Sequence, residues 1–409
     1  MTNKELFCSV LRAALFPQAY PMPPIPREQY GVLHELLDSH ALTLLPAELL
    51  RQEEMPEPLR VQWQRELRAQ ELSFGQYLIQ QETILRLFSR ADIPCAVLKG
   101  AVSASCYPEP AHRRMGDIDL LVRPCDRERS VALLEANGFR KSGYSDAIEQ
   151  SFTKGTVPLE LHIGICADGA FSDAINAFVL EHFAERRNRE LYGFAFPCLP
   201  QACNGLLMLE HMRHHLTFGL GFRQVMDWML YVDQYVDDVA WNTQMRCLFA
   251  RYGLERFAIV MTAMCQRCFG LRTAGISWPQ SAEEPLCREL FEHIFSMGNF
   301  GQKLEANRKS AAAMLRDRSL FQVLGSLQKV GVENWALCRK HPVLRPFAWL
   351  YQSLLYLYRI FAEKYNMSIF LVIQERRRYK SVLQLMEKLG LRQNENATRK
   401  SGKKERRIR

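Results

Sequence analysis

The chain lacks the cysteine density of a disulfide scaffold, has no long apolar run, and carries little excess charge once one short segment is set aside. Twelve cysteines are scattered over 409 residues, about 3%, far below the density of a disulfide-stapled scaffold. That usage suits a reducing, cytoplasmic compartment. No stretch of 18 or more uncharged apolar residues occurs, so no transmembrane helix is predicted. Residues 6–16 are interrupted by Arg12 and lack both a basic leader and a small-residue cleavage site, so they do not read as a signal peptide. The nearest approach to a membrane segment, 346–362, contains Gln352, Ser353 and Arg359 and reads as a buried amphipathic helix. An interfacial helix is the alternative, because Arg376-Arg377-Arg378 follows. The net charge of +9 is mostly the work of residues 399–409, with seven Lys/Arg and one Glu. Such a tail is expected to be solvated, and able to meet nucleic acid or acidic surfaces. No repeat of constant period is present, which disfavours a solenoid.

What is there is ordinary globular composition, 48% apolar and 24% charged, enough to build a sizeable core. Residues 1–90 read as an N-terminal helical region, 91–199 as an α/β domain, 200–390 as a C-terminal helical domain and 391–409 as a basic disordered tail. The best helix is 58–90, with apolar positions drifting around a 3.6-residue period and Pro58 at its start. Between 93 and 200 the apolar runs shorten and alternate. Strands are predicted at 96–98, 117–123, 139–144, 151–154, 159–165 and 192–196. Helices are predicted at 126–137 and 172–187, the first capped by Asp126 and stopped by Gly138. From 200 onward the helical segments are 201–218, 222–236, 241–252, 254–269, 284–296, 310–330 and 346–362.

The chemistry concentrates in three short segments: Val97-Leu98-Lys99-Gly100, then Met115-Gly116-Asp117-Ile118-Asp119-Leu120-Leu121-Val122, then Leu159-Glu160-Leu161-His162-Ile163. On a strand, residues i and i+2 share a face. Asp117 and Asp119 therefore share one face, and Glu160 and His162 share one on the later strand, while the intervening apolar residues face the other way. If the two strands are neighbours, three carboxylates converge over a packed sheet. Crowded carboxylates repel unless a cation sits among them, and hard oxygen ligands suit Mg²⁺, which also takes phosphate oxygens. Lys99-Gly100 ends a strand and opens a helix-like segment, 101–107, a natural place for phosphate.

Strand, glycine turn, helix and then Asp-x-Asp on the next strand resembles the nucleotidyltransferase fold shared with DNA polymerase β. The nearest likeness is the bacterial family of uncharacterised nucleotidyltransferases. Its Leu-Lys-Gly-Ala is matched by Leu98-Lys99-Gly100-Ala101, and its Tyr-Pro-x-Pro-x-x-Arg-x-Met-x-Asp-Ile-Asp-Leu-Leu-Val by residues 107–122. Its acidic-Leu-His strand is matched by Glu160-Leu161-His162. The resemblance covers about residues 80–240, taking in His211, His214, His215, Arg223 and Asp227. Lys99 stands where the superfamily has the first glycine of a Gly-Gly/Ser pair, and the spacer to Asp117 is longer than usual. The resemblance implies an α+β fold, a nucleotidyltransferase mixed sheet flanked by N-terminal and C-terminal helical regions. It also implies Asp117, Asp119 and Glu160 as catalytic Mg²⁺ (or Mn²⁺) ligands, and Lys99, Gly100 and Arg114 as nucleotide contacts.

Other residues invite plainer roles. Asp117 and Asp119 alone could be solvated residues of a half-exposed strand, a position that would tolerate Asp119→Asn. The alternative for Lys99 is an ion pair with a nearby carboxylate, Asp117 among the candidates. His162 either orients a carboxylate or ligand, or is a buried structural histidine. Arg113 is open between surface charge and phosphate contact. His211 and His215, at i and i+4, lack an HExxH glutamate or a further ligand and are expected to be structural. Arg223 and Asp227 are expected to form an intrahelical pair, and Cys265 and Cys268 to be core thiols. The leading function is transfer of a nucleoside monophosphate from NTP to an unidentified acceptor, small molecule, protein or RNA, with release of pyrophosphate. The alternatives are a nucleotide-binding or regulatory module without turnover, and a toxin- or antitoxin-like component acting on transfer RNA.

Overall fold

The structure, a computed structural model, describes residues 1–299 except 51–53, 146, 147, 168 and 218, and beyond them 328, 331, 332, 335, 337, 341–362 and 369–391. Seven strands form one mixed sheet in the order β3-β4-β5-β2-β1-β7-β6. The strands are β1 (Cys95–Val97), β2 (Ile118–Val122), β3 (Arg140–Ser145), β4 (Glu149–Thr153), β5 (Leu159–His162), β6 (Arg187–Leu191) and β7 (Phe194–Cys198). β2 and β5 pair in parallel, as do β1 and β7; the other neighbours are antiparallel. The α+β architecture, a mixed sheet flanked by helices, is the one the sequence predicts.

Alternation along β2 sets the two layers. The helices α1 (Asn3–Leu15), α2 (Gln29–Ser39) and the long α3 (Glu57–Arg90) precede the sheet. Ile118, Leu120 and Val122 form one core with Phe74, Tyr77, Leu78, Ile84 and Phe88 of α3. With the buried Gln81 between them, these helix positions recur every three or four residues, so one stripe of α3 lies on the sheet. Leu121 turns to the opposite layer and packs with Ala96, Leu98, Val179 and Phe183, and with Cys203 and Leu207 of the later helix Gln201–His215. Each fully buried aliphatic side chain contributes about 1.5–3 kcal/mol, so a charge at Leu120 or Leu121 would break one layer.

Two local expectations differ. The helix predicted over 172–187 runs only Ser172–Glu181, passes into a 3₁₀ turn at His182–Glu185, and gives way to β6. β6, Arg-Asn-Arg-Glu-Leu, lies at the sheet edge and pairs only with β7. Edge strands accept charged residues, so its sequence carries no strand signature. Asp126 does not cap the following helix, Arg127–Ala136, through its side chain; its carboxylate binds Arg123 at 2.8 Å and Arg129 at 3.4 Å.

Residues Met1–Phe300 with Met386–Arg409 form one compact unit and Gly301–Leu385 a second. In the second, the helix Ala348–Ala362 follows a 3₁₀ turn at Pro342–Phe347, and Trp335 stacks on Tyr351 at 4.8 Å. Its Trp349, Leu350 and Leu354 are exposed, so this helix is not buried throughout. No helix among the described residues is long and apolar enough to cross a membrane. The tail from 392 and, apart from Gln328, the helix expected over 310–330 lie outside the described residues.

Candidate active site

The site grows from the end of β1. The Leu98 amide still donates to the Asp119 carbonyl, at 3.0 Å, so pairing with β2 continues up to the residue before Lys99. Lys99 then takes φ 36° and Gly100 φ 40°, two successive residues in the region that glycine favours. A β-carbon at Gly100 would collide with the Tyr77 hydroxyl. Tyr77 comes from α3, is fully buried, and its hydroxyl has no hydrogen-bond partner among the described residues. The turn sends Lys99 back over β2, with Nζ 3.0 Å from Asp119 Oδ1.

β5 lies beside β2 with Asp119 opposite Glu160 and Leu121 opposite His162. His162 Nε2 lies 3.0 Å from Asp119 Oδ1 and 3.6 Å from Glu160 Oε2. One ligand atom from each of Asp119, Glu160 and His162 falls within 4.8 Å of the others. Asp117, half-buried just ahead of β2, is within hydrogen-bonding reach of Glu160. Asp119 itself is 2% exposed, not a solvated strand position, because Lys99 and His162 close over it.

Burial alone would raise the Asp119 pKa, but the Lys99 ammonium and the His162 ring outweigh it and hold the carboxyl well below the usual carboxylate range. Glu160 moves the other way: burial, then the neighbouring Asp117 and Asp119, push it up against the pull of His162. Burial disfavours a charged His162, yet its bonds to Asp119 and Glu160 prevail and raise it to about 9. Lys99 is likewise raised, the three carboxylates overcoming its burial. Two protein cations thus offset two of the three carboxylate charges of the cluster. The carboxylate oxygens are donors of the type that suits Mg²⁺ or Mn²⁺. His162 as an imidazolium holds these oxygens, and on losing its proton Nε2 becomes a third donor.

The neighbouring helix Gln201–His215 brings His211 and His215 together at 4.4 Å between ring centroids. Burial, with Lys99 and the neighbouring histidines adding to it, pushes His211 well below its ordinary range and His215 down to about 3. Both rings are neutral, and among the described residues neither joins a cluster of metal-ligating side chains.

The arginines divide. Arg113 makes a buried two-pronged pair with Asp227, 2.8 Å from Nε and 2.7 Å from Nη2, and the Tyr107 hydroxyl donates to the same carboxylate at 2.8 Å. Arg113 is therefore neither a surface charge nor available to phosphate, and it takes the partner expected for Arg223. Arg223 donates from Nη1 to the Arg114 carbonyl at 2.8 Å, with the Asp227 charge also acting on it. Arg114 pairs with Asp38 at 3.3 Å. Pairings such as Arg113 with Asp227, and the wedge of Tyr77 against Gly100, span too much sequence for periodicity or spacing to find.

Residues 28–270 match the profile of the uncharacterised nucleotidyltransferase family, and the chain belongs to that family. The match starts inside the N-terminal helices and extends beyond 80–240 on both sides. A solved structure, an antigenic nucleotidyltransferase-like protein from Paracoccidioides brasiliensis, is 14% identical, with the likeness covering 48% of this chain and 94% of that one at a TM-score of 0.30. Among curated proteins none matches the chain.

Proposed function

We propose that the protein is a Mg²⁺- or Mn²⁺-dependent nucleotidyltransferase of the DNA polymerase β-like superfamily, moving a nucleoside monophosphate from NTP to an acceptor. The observation that carries this is Asp119 facing Glu160 across two parallel strands, with Asp117 beside them and the Lys99-Gly100 turn alongside. Asp117, Asp119 and Glu160 would hold the ion, which when bound neutralises charge developing on the transferring phosphoryl group. An acceptor oxygen attacks the α-phosphorus, the α–β bridging bond breaks, and pyrophosphate leaves. Glu160, whose carboxyl sits above its ordinary range, takes the acceptor's proton. His162 keeps the carboxylates in place. Lys99, the Gly100 turn and neighbouring Arg223 form the side that receives the triphosphate. Arg114 reaches phosphate only by leaving Asp38.

One observation favours a second reading, nucleotide binding without turnover: Lys99 and His162 already neutralise Asp119. Incubation of the full chain with each radiolabelled NTP and Mg²⁺ or Mn²⁺ separates the two. Label appearing on a small molecule, RNA or protein, with matching pyrophosphate, supports transfer; bound but unconverted NTP supports the second reading.

A further inference from the structure

We infer that the pocket between α3 and the segment leading into β2 is the acceptor site, built for a small molecule bearing both ammonium and hydroxyl groups. The assignment of the pocket to the acceptor rests on the nucleotidyl-transfer reading; the ligand chemistry does not. The pocket measures about 450 Å³ and is lined by Asp38, Glu66, Gln70, Ser73, His112 and Arg114, with Met115 among its apolar contacts. That volume falls in the range of small-molecule sites, roughly 300–1,000 Å³.

Its location ties it to the candidate active site. Met115 lies two residues before Asp117, so at most about 7 Å of chain separates them. The backbone of this wall is braced from two sides: Gln70 Nε2 donates to the Arg113 carbonyl at 3.2 Å and Arg223 to the Arg114 carbonyl at 2.8 Å. The opposite wall is fixed as well, because the buried Trp63 indole donates to the Thr43 carbonyl at 2.8 Å. The cavity is therefore formed before any ligand arrives, which lowers the ordering cost of binding.

Its charge selects the ligand. Asp38 and Glu66 line it, and Glu48 stands 3.7 Å from the lining His112. Against these three carboxylates stand one guanidinium, Arg114, paired with Asp38, and two imidazoles, His112 beside Glu48 and His34 at 2.8 Å from Glu66. A phosphate backbone would meet like charge here, whereas an ammonium group meets carboxylates. Gln70, Ser73 and His112 offer donors and acceptors to hydroxyls. An amine-bearing polyol satisfies both sets, and one of its hydroxyls supplies the attacking oxygen.

The probe is glucosamine, titrated into the full chain and followed by saturation-transfer NMR, beside myo-inositol, spermidine and transfer RNA. Glucosamine is expected to bind more tightly than inositol, and to lose about tenfold in affinity in Ala69→Trp, which fills the cavity from an exposed helix position. Glu66→Gln should weaken glucosamine and spermidine but not inositol. Circular dichroism confirms that each variant folds, and Ser73→Trp serves if Ala69→Trp does not. The proposal is overturned if no amine or polyol binds the wild type, if Ala69→Trp leaves glucosamine binding unchanged, or if transfer RNA alone is displaced by the filled pocket. Binding of a non-hydrolysable NTP to the wild type is measured separately. Its failure counts against nucleotidyl transfer and leaves the pocket result standing.

Discussion

Lys99→Met should do two opposite things, and together they test the electrostatic account of the site. The ammonium lies 3.0 Å from Asp119 Oδ1, a gross attraction of about 5–6 kcal/mol at an effective dielectric near 20. Burying the ammonium costs several kcal/mol, and Asp119 keeps its bond to His162 at 3.0 Å. The net loss in the metal-free protein is therefore about 2 kcal/mol, a fall in Tm of roughly 2–3 °C for a chain of this length. Methionine preserves the length and packing of the side chain while removing its charge. The second effect follows from the same geometry. Lys99 competes with a divalent ion for Asp119, so its removal should tighten Mn²⁺ binding by about tenfold. At 100 times its Kd the ion then adds about 2.7 kcal/mol, enough to restore the melting temperature. Thermal melts in EDTA and in MnCl₂, with the free Mn²⁺ signal followed by electron paramagnetic resonance, give both numbers. A metal-free variant that melts like the wild type, or one that binds Mn²⁺ more weakly, would refute the reasoning.

Three further outcomes are expected. Gly100→Ala should destabilise by about 2–4 kcal/mol, from a left-handed backbone and the collision with Tyr77; in a Tyr77→Phe background the loss should shrink by about half in urea unfolding. Arg113→Met strands a buried Asp227 and should cost about 3–5 kcal/mol, most of which returns in the Arg113→Met/Asp227→Leu double variant. His162, raised from about 6.5 to about 9 in the folded protein, contributes stability that is complete below pH 6.5 and is lost as pH rises through 9. Urea melts in EDTA between pH 6 and 10 should show that decline, flattened in His162→Gln.

The candidate site was legible where chemistry and period coincide. Asp117, Asp119 and Glu160 announce themselves because carboxylates alternate with Ile118, Leu120, Leu159 and Leu161, and a strand puts alternate residues on one face. The pairing of β2 with β5 turns two such patterns into one cluster. Lys99 was visible as a residue before a glycine turn, but its choice of Asp119 over Asp117 depends on a positive-φ backbone that no composition reveals. Asp119 looked like a tolerant strand position because closure by His162 and Lys99 comes from other strands and turns. β6 went unseen since an edge strand needs no apolar alternation, and the helix ahead of it was overextended for the same reason. Arg113, Tyr77 and the acidic pocket rest on contacts across scores of residues, where local patterning is silent.

The central claim is tested most directly by pyrophosphate release from each of the four NTPs in Mg²⁺ or Mn²⁺, comparing the wild type with Asp117→Asn. Asp119→Asn would disturb a buried carboxylate held by two cations. Asp117 is half-buried and adds to the crowding of Glu160, so its amide should leave stability within about 0.5 kcal/mol. The account predicts metal-dependent pyrophosphate release by the wild type and its near-complete loss in a folded Asp117→Asn chain. Equal release by both proteins, or release that persists in EDTA, would contradict it.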